Sequence, residues 1–180
     1  ALPIFISYLN LIANTSDNIS FERVVNEPKR GVGPGTVEKI RNFAAGQEMS
    51  LLDASSQIML SPVKGKAAQA VFDFANLILN LRERLDELTV TELVELVLER
   101  TGYTEQLVAQ ATLESQARIE NIEEFLSVTK NFDEDSENDT EETGLDRLSR
   151  FLNDLALIAD TDDGNQESSE VTLMTLHAEI

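Results

Sequence analysis

The sequence predicts an all-α protein, an irregular helical bundle with one strand at its C-terminal end. Three observations carry that expectation. Apolar residues recur at helical spacing through most of the chain. The residues are 42% hydrophobic but only 6% aromatic, with no Trp, so the core rests on Leu, Ile, Val and Ala, which suit helix packing. Gly, Pro, Asn and capping Ser or Thr punctuate the pattern at short intervals.

The elements follow in order. Leu2, Phe5, Ile6, Leu9 and Ile12 make one face of a first helix that ends near Asn14. Residues Ala1 to Ala13 are apolar but too short to cross a bilayer, and they lack the basic start of a signal peptide. Ser20 is placed to cap a short helix carrying Phe21, Val24 and Val25, stopped at Glu27-Pro28 because the residue before proline avoids the helical region. A helix from about Pro34 to Ala45 follows, with Pro at its start and Gly46 closing it. Ser50 opens another short helix, broken at Ser61-Pro62.

A long helix spans about Lys64 to Leu88, with Val71, Phe74, Ala75, Ile78 and Leu81 near one face. Thr89 or Thr91 caps the next, whose first-turn acids suit the helix dipole. Thr101-Gly102-Tyr103 is a turn, and helical spacing resumes at Glu105 and from Thr112 to Phe132. Asp133 to Glu142 is read as a mobile acidic loop, Leu145 to Ala159 as an amphipathic helix, and residues 161–170 as an acidic linker. Residues 171–180 then open with Val171-Thr172-Leu173-Met174-Thr175-Leu176, the one clear strand signal. The domain reading is therefore a helical body over 1–160, the linker, and a strand whose sheet lies in another domain.

Composition removes several classes of function. The chain has 180 residues, a net charge of -19 and no cysteine, so disulfides, thiol catalysis and Cys-based zinc sites are out. The lack of cysteine fits a reducing cytoplasm. No G-x-x-x-x-G-K-[ST] loop and no G-x-S-x-G context occurs. His177 is the only histidine, with no Cys or second His to share a metal. Neither acidic loop has the spacing of a calcium loop: counted from Asp160, Gly164 falls one place early. Glu123 and Glu124 are paired carboxylates in helical context with nothing to mark them as catalytic. No catalytic residue, metal site or cofactor is expected within this chain.

One segment stands out against the acidic background: Pro28-Lys29-Arg30-Gly31-Val32-Gly33-Pro34-Gly35-Thr36. It is a glycine turn with basic flanks, set directly before a helix. Gly31 and Gly33 can take backbone angles closed to other residues, and successive N–H groups can converge on an anion at a helix N-terminus. Val32 is expected to point into the core and anchor the turn. Lys29, Arg30, Lys39 and Arg41 supply charge. Flanked by helices, this is a helix-hairpin-helix pattern, and the candidate residues for a DNA backbone are Lys29, Arg30, Gly31, Val32, Gly33, Gly35, Thr36 and Lys39. The competing account is an ordinary helix–helix turn whose glycines serve geometry alone. A secondary contact is suggested at Lys64, Gly65 and Lys66, against the simpler account of a basic helix start.

Several segments together resemble one family. Ser7-Tyr8-Leu9-Asn10-Leu11-Ile12-Ala13-Asn14 precedes the glycine turn; Leu113-Glu114-Ser115-Gln116-Ala117-Arg118-Ile119-Glu120-Asn121-Ile122-Glu123-Glu124-Phe125-Leu126 follows; then come Phe151-Leu152-Asn153-Asp154-Leu155-Ala156-Leu157-Ile158 and Val171 to Ala178. In that order they resemble the bacterial superfamily 1 DNA helicases of the UvrD/PcrA/Rep type, and most resemble the PcrA branch of Gram-positive bacteria.

The resemblance implies the all-helical 2B subdomain, an insertion in the second RecA-like motor domain, 2A. It implies contact with the duplex ahead of the fork through the helix-hairpin-helix. It also implies a whole protein that is a 3'-5' helicase of DNA repair and replication, using ATP and magnesium held elsewhere. Thr175, Leu176 and His177 resemble the opening of motif V of the motor. The family continues beyond it with a small residue and Lys-Gly-Leu-Glu, where this sequence has Glu179-Ile180. The expected partners are sequence-nonspecific duplex DNA, the other helicase domains and regulatory proteins, with no membrane. The competing expectation is a protein-interaction or autoregulatory module that does not touch DNA.

Overall fold

The computed structural model describes residues 2–138 and 141–164. Among them the chain forms nine α-helices and two short 3-10 helices, with no strand. The all-α expectation is met. The expected terminal strand, and with it Thr175, Leu176 and His177, lies outside the described residues.

The chain divides into two compact units, residues 7–84 and residues 1–6 with 85–180. The boundary passes through the first helix, α1 (Leu2–Ala13).

The first unit holds the rest of α1 followed by α2 (Asn18–Val24), α3 (Pro34–Gln47), α4 (Leu51–Ser56) and α5 (Gly65–Glu83), with a 3-10 turn at Ile58–Leu60 before α5. α4 packs against α2, α3 and α5. Its core centres on Tyr8, Phe21 and Phe74, all buried. The Phe74 ring meets Phe21 at 5.6 Å and Tyr8 at 6.2 Å between centroids, both edge-on. Such pairs add about 0.5–1.5 kcal/mol each beyond their buried area.

The second unit contains a 3-10 turn at Leu85–Glu87, α6 (Val90–Thr101), α7 (Tyr103–Gln110), α8 (Leu113–Ser136) and α9 (Gly144–Gly164). α6, α7 and α8 pack on one another. Phe151 of α9 fills the space beside Phe125 and Phe132 of α8, at 6.0 and 5.0 Å.

Some caps depart from the sequence expectation. Asp17, not Ser20, caps α2, accepting from the Ser20 N–H at 3.0 Å and the Ser20 hydroxyl at 2.7 Å. α3 runs past Gly46 and ends at Glu48, which takes the left-handed conformation at φ 55°. Thr89 caps α6 in a reciprocal box with Glu92. Asp133 sits in the last turns of α8 rather than in a loop. Its carboxylate accepts from the N–H groups of Val90 and Thr91, at 3.0 and 2.9 Å. The acidic run is therefore helical through Ser136, and part of it serves as a second cap for α6.

Candidate nucleic-acid interface

The glycine turn joins α2 to α3 and is tied down from two directions. From one side, the Asn26 carboxamide oxygen accepts from the main-chain N–H of Arg30 at 2.9 Å and of Val32 at 3.1 Å. From the other, the Arg30 guanidinium turns inward. Its Nη1 donates to the carbonyls of Val24 and Val25, both at 2.7 Å, and its Nη2 to the Tyr8 hydroxyl at 2.8 Å. The guanidinium carbon lies 4.8 Å from the Phe74 ring centre. The Tyr8 hydroxyl in turn donates to the Glu27 carbonyl at 2.5 Å. Burial pushes the Tyr8 phenol above its usual range, while the Arg30 charge acts in the opposite direction.

The chain then reverses through Gly31, at φ 79°, a left-handed angle that glycine takes without strain. Val32 is buried, anchoring the turn in the core as its place between two glycines suggested. Gly33 is the N-cap of α3, in extended conformation, and no side chain caps the helix. The first helical bond runs from the Val37 N–H to the Gly33 carbonyl. Pro34 has no N–H, so the amides of Gly35 and Thr36 open the helix without an intrahelical acceptor. A Cβ added at Gly33 or Gly35 would meet nothing within 4 Å. Lys29 and Lys39 are exposed, Gly35 is exposed, and Thr36 is half-buried. Arg41 is paired with Glu22.

The secondary candidate also stands at a helix start. Lys64 is the N-cap of α5, with no side-chain cap, and Gly65 follows at φ 69°. Lys64 and Lys66 are exposed, and the Lys64 Nζ lies 3.4 Å from the Met59 carbonyl.

The two turns are related by a constant offset that reading for motifs alone had missed. Val32, Ile40, Phe43 and Ala44 recur as Val63, Val71, Phe74 and Ala75, and α3 starts at Pro34 as α5 does at Gly65. Val32, Val63, Ile40, Val71, Ala44 and Ala75 are all buried. Aligning the chain with itself would have found the repeat. The repeat includes Phe74, but nothing in it shows that Tyr8, Asn26 and Phe74 together hold the first turn in shape.

Comparison with known proteins bears on the whole chain. Residues 4–179 match the model of the UvrD-like helicase C-terminal domain. The chain belongs to that family. It is 47% identical over 179 residues to an ATP-dependent DNA helicase PcrA of Bacillus subtilis, 44% identical to that of Leuconostoc citreum, and 41% identical to that of Staphylococcus aureus. Each alignment covers 96% of this chain and 23% of the relative. This UvrD-like domain is thus homologous to a region making up less than a quarter of those helicases. Among its described residues no helix is long and apolar enough to cross a membrane, and no group of three or more metal-binding side chains is assembled.

Proposed function

We propose that this UvrD-like domain is the 2B subdomain of an ATP-dependent 3'-5' DNA helicase. It holds the duplex by its phosphates and orients it relative to motor domains elsewhere in the longer protein. The turn between α2 and α3 acts as a helix-hairpin-helix. The amides of Gly35 and Thr36 receive a phosphate oxygen at the positive end of α3, and Lys29 and Lys39 add charge. Contact through phosphates alone carries little sequence preference. The turn at Lys64, Gly65 and Lys66 contributes a weaker second contact.

The observation that carries this reading is the space around two glycines. Geometry requires glycine at position 31, where φ is positive. It does not require glycine at 33, where φ is -85° and ψ 178°, nor at 35 inside the first turn of α3. Both positions have open space where a side chain would stand. Their bare surface serves the close approach of something outside the chain, which a turn built for its own geometry would not need.

Gly33→Val with Lys29→Ala tests the reading by fluorescence anisotropy on a labelled duplex at low salt. The extended conformation accepts valine, and the weaker N-cap costs about 1 kcal/mol or less, so helicity should persist. Duplex affinity should fall by about tenfold or more. Unchanged affinity would remove the assignment. Capture of a protein partner by both forms, with duplex binding by neither, would favour an interaction module, to which the exposed Val108 and Leu113 would then contribute.

A further inference from the structure

Lys29 and Arg30 are neighbours in sequence with opposite fates. Lys29 is exposed, whereas the Arg30 guanidinium faces the interior of its unit. We infer that Arg30 is a positioning residue for the duplex-binding turn: it shapes the turn from within, through Tyr8 and the end of α2, and makes no phosphate contact of its own. This rests on the duplex-binding reading of the turn.

The guanidinium serves three acceptors at once. Two are the carbonyls of Val24 and Val25, which close α2, where carbonyls lack intrahelical partners and a cation is favoured; the Val24 carbonyl also accepts the Glu27 N–H at 3.0 Å. The third is the Tyr8 hydroxyl on α1, itself bonded to the Glu27 carbonyl at the entry to the turn. The guanidinium also lies over the Phe74 ring of α5. One planar group therefore links α1, the end of α2, the turn and α5. A lysine ammonium has no plane to lay on Phe74 and no fork to span two carbonyls and a phenol. Asn26 in turn engages the amides of Arg30 and Val32. Those two N–H groups are occupied by the protein itself, whereas the donors that open α3 are left for a phosphate. The direction of those donors depends on the backbone that Arg30 and Asn26 hold.

The salt dependence of duplex affinity separates shaping from contact. A cation that neutralises a phosphate contributes about one unit to the slope of log K against log salt. Wild type, Lys29→Ala, Arg30→Gln, Arg30→Lys and Tyr8→Phe are titrated with the same duplex at several salt concentrations, with circular dichroism confirming helicity. Lys29→Ala should flatten the slope by about one. Arg30→Gln, Arg30→Lys and Tyr8→Phe should each weaken binding by about tenfold along lines parallel to wild type. Tyr8→Phe removes no charge, and a phosphate-binding Arg30 would leave its affinity unmoved. Should Arg30→Gln not fold, Arg30→Lys and Tyr8→Phe decide the matter alone.

The inference is overturned if Arg30→Gln flattens the slope by about one while Arg30→Lys keeps wild-type affinity. It is equally overturned if Arg30→Lys and Tyr8→Phe both bind as wild type does. Failure of the duplex-binding reading looks different: wild type itself then shows no duplex binding at low salt, and the role given to Arg30 falls with it.

Discussion

Tyr8 is a residue whose protonation is tied to the shape of the turn. Its hydroxyl accepts from Arg30 and donates to the Glu27 carbonyl, and its ring is packed against Phe74. Burial holds the phenol protonated beyond its usual range. The sign of the pH effect follows from linkage. Above about pH 10 the unfolded chain releases this proton while the folded chain keeps it, so stability falls as pH rises. Below that pH the contribution is fully present. Tyr8→Phe should cost about 1–2 kcal/mol at neutral pH through the lost bonds. It should also flatten the alkaline decline. Urea midpoints of wild type and variant from pH 7 to 11 test both, and a difference between them that stays constant through pH 11 would contradict the linkage.

At the scale of elements, Gly144 decides how α9 begins. Its N–H donates to the Asp86 carboxylate at 2.7 Å, and a Cβ there would lie 2.1 Å from the Leu85 carbonyl oxygen. That neighbour is backbone and cannot swing aside as a side chain would. Gly144→Ala should therefore destabilise the unit by about 1–3 kcal/mol, despite alanine's better helix propensity, and a thermal melt matching or exceeding wild type would refute it. The existence of α9 was legible in the spacing of Leu148, Phe151, Leu152 and Leu155; the close approach at its start was not, because Leu85 lies far away in sequence. The same division holds elsewhere. Apolar periodicity revealed the helices, and the place of Val32 between two glycines revealed its burial. It did not reveal that Asp133 reaches across to α6, or that Asp17 displaces Ser20 as a cap, since each depends on which carboxylate arrives in space. Within the turn, composition grouped Lys29 with Arg30 as two cations. Only the packed positions of Tyr8 and Phe74 tell them apart.

For the whole molecule, a net charge of -19 sets the terms on which any duplex can approach. Like charges repel at long range within a screening length of about 10 Å at 0.1 M salt. The few cations at the turn act only at contact. On the proposed function, encounter and grip are then governed by different residues. Neutralising acids outside the unit that carries the turn, such as the exposed Glu123 and Glu124 on α8, should speed association and leave dissociation alone, because steering acts on the encounter rate. Glu123→Gln with Glu124→Gln should raise the duplex association rate by about twofold at low salt, with the gain vanishing as salt is raised. Stopped-flow mixing with a labelled duplex measures this directly. A change confined to the dissociation rate would instead place those carboxylates in the bound interface, and the separation of repulsive surface from gripping turn would fail.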